Sequence, residues 1–290
     1  MRTKLENISY IIGMPRAGTT FLYHNLNKHP DLYVPFRRKT NYFSLHKDKS
    51  IEWFLDHFKD MKENQIGIDT ETLYFVDKNL QSYKNIKQIN PNAKVMLFVR
   101  QPDEWVYSFY KQIATFDKDM VSFEDFLKGK YVLFEDNKSI PFNIANGDIK
   151  QIIEDIKNIF KENLLIIDFK LFKKDPLKLL QEIEIFLNIS PYFTEKNFEN
   201  KKINASDRGH IVLLASFLRQ EWLINLLNKL PRKLVISIRG LYDKLGTLTR
   251  QKSDNSYISH EIDLAKIFFI DDEKYVKDIF HQTHIIKKNK

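Results

Sequence analysis

The chain has 290 residues, 43% of them hydrophobic and 29% charged, an ordinary globular composition that allows one large α/β domain or two small ones with ample core. It holds no cysteine, so disulfide frameworks, thiolate metal sites and cysteine nucleophiles are excluded. The net charge of +8 favours anionic ligands, yet no zinc-finger spacing, aromatic RNA-binding signature or dense basic helix accompanies it, so nucleic acid is not an expected partner.

Met1–Asn7 is polar, and no run of about 18 uncharged apolar residues follows anywhere, so a soluble cytoplasmic protein is expected. Ile8–Ile12 reads as a buried strand. It feeds the turn Gly13-Met14-Pro15-Arg16-Ala17-Gly18-Thr19-Thr20, and Phe21, Leu22 and Leu26 then mark one helix face. Asp31–Val34 is a short apolar piece closed by Pro35, followed by the basic loop Arg37-Arg38-Lys39. Ile51, Trp53, Phe54, Leu55 and Phe58 fit an amphipathic helix with Ser50 at its cap. Gln65–Asp69 reads as a strand ending in an acid, and a helix through about 76–89 stops before Pro91. Lys94–Val99 is the clearest buried strand, and Pro102 opens a helix that turns Trp105, Val106, Phe109 and Ile113 inward. Ser122 caps a further helix, residues 129–147 read as loop, and Ile152, Ile153, Ile156 and Ile159 form a helical stripe. Leu164–Ile167 is another buried strand, and Pro176 opens the helix through Leu187.

This alternation predicts an α/β fold, a central parallel sheet flanked by helices, with a break near Asn200–His210 and a helical C-terminal part. Ligands of such sheets bind outside the carboxyl ends of the strands, where Arg16, Asp69 and Arg100 are expected to converge.

The turn after the first strand has the makings of an anion nest, because unpaired N–H groups at a helix N-terminus face outward and the helix dipole favours negative charge. Its two glycines sit five apart, as in the nucleotide-triphosphate loop G-x-x-x-x-G-K-[ST], but Thr19 stands where that loop has Lys. The cation comes earlier, at Arg16. A kinase or NTPase of the P-loop type is therefore disfavoured, and a nucleotide- or polyanion-binding module without catalysis is the other alternative. Ser108 stands eight residues after Arg100 in Arg100-Gln101-Pro102, so a planar Arg fork and a hydroxyl two helical turns away can share one phosphate; an Arg pairing a surface acid, with Ser108 simply on a helix face, is the alternative.

Pro15-Arg16-Ala17-Gly18-Thr19-Thr20 after a strand resembles the 5′-phosphosulfate loop of the sulfotransferases that use 3′-phosphoadenosine 5′-phosphosulfate (PAPS), and Arg100-Gln101-Pro102 with Ser108 resembles their 3′-phosphate element. The likeness is to bacterial and heparan-type members and extends through Ile167–Leu171, Asp175-Pro176, Phe186-Leu187 and Tyr275–Ile279. It implies a P-loop-NTPase-like sulfotransferase fold in a single domain over 1–290, with 1–200 as the cofactor-binding core and 201–290 as a helical extension. It implies PAPS as co-substrate without a metal. Arg16 is expected to stabilise charge on the leaving phosphate, Thr19 and Thr20 to hold the 5′-phosphate, and the loop with Lys201 and Lys202 to close over the cofactor.

One position departs from the pattern. Relatives carry Lys-Glu-x-x-Phe-Phe with the Glu as general base, whereas Arg38-Lys39-Thr40-Asn41-Tyr42-Phe43 puts Lys39 there. Asp69 is the first replacement candidate and Glu71 the second, with His24 and His46 behind them; His29-Pro30 reads as a structural helix end. Arg37-Arg38-Lys39 at the acceptor mouth favours an acidic glycan or glycolipid. The apolar and basic stretch 211–245 reads either as core helices covering the acceptor site or as a peripheral surface on the inner face of the membrane.

Overall fold

The computed structural model describes residues 5–35, 39–76, 81–114, 117, 119–135, 138–141, 148–199, 234 and 259–288. It divides into two units, Met1–Asn200 with Tyr257–Lys290 and, separately, Lys201–Ser256; all of the second but Leu234 lies outside the described residues. Among the described residues no helix is long and apolar enough to cross a membrane.

Five parallel strands form the main sheet: β1 (Ile8–Gly13), β2 (Leu32–Tyr33), β3 (Ile66–Glu71), β4 (Val95–Val99) and β7 (Leu164–Asp168), in the order β2-β3-β1-β4-β7. The helices between them are α1 (Thr19–Leu26), α2 (Ile51–Asp56), α3 (Gln81–Ile89), α4 (Pro102–Ala114), α5 (Phe123–Leu127) and α6 (Ile149–Phe160). After β7 come α7 (Phe169–Lys174), α8 (Pro176–Leu187), α9 (Ser259–Phe268) and α10 (Ile270–Lys288). β1 and β4 are buried along their whole length, as expected of parallel strands covered on both faces. Each fully buried side chain of β4, such as Leu97 or Phe98, contributes about 1.5–3 kcal/mol.

The strand order reverses at β1, which has β3 on one side and β4 on the other. That is the topological switch point, where a crevice opens beyond the strand ends. The register levels those ends: Ile12 lies opposite Glu71 and Leu97, Gly13 opposite Phe98, and Phe98 opposite Ile167.

The caps follow local chemistry. The Ser50 and Ser122 hydroxyls accept from the amides of Trp53 and Asp125, and Pro176 stands at the start of α8 with Asp175 accepting from Lys178. Two expectations are corrected. Residues 129–147 are not all loop, since β5 (Val132–Glu135) and β6 (Lys138–Pro141) pair as an antiparallel hairpin. β3 does not end at Asp69 but runs to Glu71, because its pairing with β1 continues through Ile12.

The C-terminal helix secures two others. Asp272 Oδ1 accepts from the Lys150 amide at 2.8 Å, and Glu273 Oε1 accepts from the Asp103 amide at 3.2 Å. Adjacent acids in the first turn of α10 thus cap the open N-termini of α6 and α4, where carboxylates also meet favourable helix dipoles.

Candidate functional site

The turn after β1 is shaped by close backbone approach. Met14 donates its amide to the Phe98 carbonyl at 3.1 Å, and a Cβ at Gly13 would lie 2.7 Å from that same oxygen. Only glycine allows the loop to leave the sheet this close to β4. Arg16 takes φ 70°, the left-handed region that a non-glycine residue enters at a cost of about 1–2 kcal/mol. Gly18, at φ 85°, is the N-cap of α1, and a Cβ there would come within 2.6 Å of the Phe172 ring. No side chain caps α1 and no acid occupies its first turn, so its leading amides remain for an outside acceptor. Thr19 and Thr20 are its first two residues; their side chains lie outside the described part.

Cations gather at this opening. Arg16 is half-buried, and its Nε is buried without a hydrogen-bond partner. Burial and then the nearby Arg100 charge push the Arg16 guanidinium below its usual range. Two like charges lie near each other, and one of them keeps a buried donor that no protein acceptor satisfies, which costs free energy unless an outside acceptor meets it. Arg100 is itself buried; its amide donates to Met14 Sδ at 3.3 Å, which ties the end of β4 to the loop after β1. The Arg100 guanidinium bonds Glu104 Oε2 at 3.3 Å and lies 5.0 Å from the Phe169 ring centroid. Ser108 is half-buried one helical turn beyond Glu104, on the same face of α4.

Sequence reasoning missed α7, the short helix between β7 and Pro176. Asp168 caps it by accepting from the Lys170 amide at 2.7 Å, and Phe172 packs edge-on against Phe21 at 5.0 Å. Phe169 and Lys173 on this helix border Arg100, and burial with the Arg100 charge lowers the Lys173 ammonium. A readable signal existed: Asp168 stands before a Phe-Lys-Leu-Phe-Lys-Lys run with helical spacing.

The candidate bases lie along β3. Asp69 is fully buried, and its carboxylate accepts from the Thr40 hydroxyl at 3.1 Å. That bond anchors the stretch in which Lys39 replaces the glutamate of the resembling pattern. Asp69 also raises the buried Tyr10 phenol, adding to the larger effect of burial, so Tyr10 stays neutral. Glu71 is likewise fully buried, at the last position of the strand, and its Oε1 accepts from the Leu73 amide at 2.7 Å. Lys39 Nζ donates to Thr72 Oγ1 at 3.0 Å, which brings its ammonium beside the residue after Glu71. The structure therefore draws Asp69, Glu71 and Lys39 to one edge of the opening. His24 is half-buried on α1 against Tyr23, and His46 packs on Trp53. His29 accepts from the Asp31 amide through Nδ1 and faces the Ser190 carbonyl through Nε2, tying the end of α1 to the turn after α8. Arg37, Arg38, Lys201, Lys202 and 211–245 except Leu234 lie outside the described residues.

The uncapped N-terminus of α1 with Arg16 and the buried Arg100 thus lie together beyond the carboxyl ends of β1 and β4. A family model described as the sulfotransferase family matches residues 10–195. A membrane-associated sulfotransferase, kil1, of Dictyostelium discoideum is 32% identical over 102 residues, 34% of this chain and 21% of that protein. Mouse heparan sulfate glucosamine 3-O-sulfotransferase 5 is 25% identical over 194 residues, 64% of this chain and 55% of that protein. The chain thus spans about half the length of the heparan sulfate relative, and about a fifth of kil1. The crystal structure of a sulfotransferase from Alicyclobacillus acidocaldarius superposes with a TM-score of 0.55 at 17% identity, covering 79% of this chain and 98% of that one, a likeness of fold. The match spans both anion motifs and all five strands of the sheet but for the first residues of β1, and on it the chain belongs to the sulfotransferase family.

Proposed function

We propose that the chain transfers a sulfuryl group from PAPS to a hydroxyl or amine on an acidic glycan or glycolipid. The observation that carries the donor assignment is the pairing of Arg16 with Arg100 at the switch point, with a buried Arg16 donor left unsatisfied. The residues fit a nucleotide with phosphates on two sides of its ribose. The amides at the start of α1 and the Arg16 fork receive the group on the 5′ side, and Arg100 with Ser108 receives the 3′-phosphate. The donor supplies an activated sulfuryl group. The chain's own contribution is position and charge: Arg16 would stabilise the negative charge that grows on the leaving phosphate, and its strained, desolvated setting is preorganised for that charge.

A proton must leave the acceptor as its oxygen or nitrogen attacks. We assign that role to Glu71, at the end of β3 level with the start of the phosphate loop. Asp69, bonded to Thr40 two residues deeper, positions the Lys39 segment instead. Lys39, held on Thr72, then offers its charge to an acidic acceptor. Support for a glycan acceptor comes from the heparan sulfate relative, and support for membrane proximity from the membrane-associated one.

The test is transfer of labelled sulfate from PAPS to a panel of heparan-type glycans, acidic glycolipids and neutral phenols. Acidic glycans or glycolipids should be the better acceptors, and Glu71→Gln should lower kcat about 10²–10⁴-fold with donor affinity retained. Preference for neutral phenols would overturn the acceptor assignment. A dead Lys39→Met variant beside an active Glu71→Gln variant would move the base to Lys39.

A further inference from the structure

We propose that Lys173, on the short helix α7, is a third phosphate-binding cation that makes the site selective for nucleotides carrying a 3′-phosphate. The inference rests on the donor reading above and adds to it a residue that neither anion motif contains.

Lys173 Nζ lies 4.9 Å from the centroid of the Phe169 ring, and Arg100 Cζ lies 5.0 Å from the same centroid. One aromatic ring therefore gathers two cations from different elements, α7 and the end of β4. Among the described residues Lys173 makes no ion pair, and the acid nearest the cluster, Glu104, is bonded to Arg100. A surface lysine with no partner ordinarily extends into water; this one, though exposed, lies over the ring that Arg100 also faces. Like charges held together on an apolar wall repel, and a dianionic group between them removes the penalty.

The placement is also rigid. Asp168 caps α7, Phe172 fills the space that the missing Cβ of Gly18 leaves, and Phe21 packs on Phe172. The helix that carries Lys173 is thus wedged against the loop that receives the 5′ side. Lys173 serves the Arg100 side of the same opening, so α7 links the two phosphate positions.

Burial and the Arg100 charge lower the Lys173 ammonium, with Glu104 opposing and Lys170 adding slightly. A bound dianion should raise it again. Binding through Lys173 therefore weakens at alkaline pH in a way that an arginine replacement postpones.

The experiment is a calorimetric titration of the full chain with 3′-phosphoadenosine 5′-phosphate (PAP) and, in parallel, with adenosine 5′-phosphate, for wild type, K173Q, K173R and R100A. K173Q should weaken PAP binding about five- to twentyfold and adenosine 5′-phosphate binding less than twofold. K173R should keep most of the PAP affinity and move its alkaline loss to higher pH. Equal losses for both nucleotides, or unchanged PAP affinity in K173Q, overturn the proposal. If wild type binds PAP and R100A does not while K173Q is unaffected, the donor reading stands and the role of Lys173 falls. If wild type does not bind PAP, both fall.

Discussion

Replacing Asp272 by Asn should stabilise the protein at neutral pH, although it alters a buried residue that caps a helix. The Asp272 carboxyl is pushed up to about 6 from a usual value of 3.8. Burial is the main cause, the Asp148 and Asp271 charges add to it, and the Lys150 amide and ammonium oppose it. The folded chain thus holds this proton more tightly than the unfolded chain. Its contribution to stability is fully present below about pH 4 and is lost as pH rises through about 6. Two pKa units correspond to about 3 kcal/mol, and solvent screening near the helix ends lowers the expected effect to about 1–3 kcal/mol. An asparagine keeps an oxygen for the Lys150 amide and carries no charge to desolvate. Asp272→Asn should therefore raise Tm by roughly 2–8 °C at pH 7.5 and by little at pH 4.5. The assay is thermal unfolding followed by circular dichroism at half-unit pH steps, with the difference between variant and wild type as the readout. A difference that is constant with pH, or a variant less stable at pH 7.5, would refute the reasoning.

At the site, Arg100→Ala should weaken PAP binding about 10–100-fold, because the contact is charge-assisted and desolvated in the ground state. Arg16→Ala should lower kcat more than it lowers affinity, since Arg16 meets charge that develops during transfer; equal, purely affinity-based losses in both variants would reverse that division. Gly13→Ala should cost about 2–3 kcal/mol in urea unfolding and abolish nucleotide binding, because the added Cβ would force β1 away from β4. Near-native stability for that variant would show that the loop can leave the sheet by another path.

Much of this architecture is legible in the residues. The strands β1, β4 and β7 are apolar runs broken only by Ser9, and each leads to a residue that changes the backbone rule: Gly13, Arg100 two residues before Pro102, and Asp168. Caps at Ser50 and Ser122 and the prolines at Pro102 and Pro176 fix helix starts through bonds within three residues. The two proposed phosphate motifs stand out in the sequence because a nest and an Arg fork depend on local spacing. The rest depends on partners distant in sequence. The end of β3 is set by pairing with Ile12, which is why Glu71 is a strand residue while the local pattern stops at Asp69. The hairpin of β5 and β6 does not stand out in the sequence because its strands are short and mixed in polarity, though Asp136-Asn137 between them is a two-residue turn signal. The ring of Phe169 between Arg100 and Lys173, and the caps that Asp272 and Glu273 supply to α6 and α4, join residues about 70 to 170 apart in the chain. No periodicity reports such contacts.

A site with one position for each phosphate of a 3′,5′-substituted adenosine should bind such a nucleotide without metal. Calorimetric titration of the wild-type chain with PAP and with ADP in the presence of EDTA tests it most directly. PAP should bind saturably and one to one, about 10–100-fold tighter than ADP, because only a 3′-phosphate would reach Arg100 while the 5′ side occupies the α1 N-terminus. Equal affinity for the two nucleotides, or PAP binding that disappears with EDTA, would contradict it.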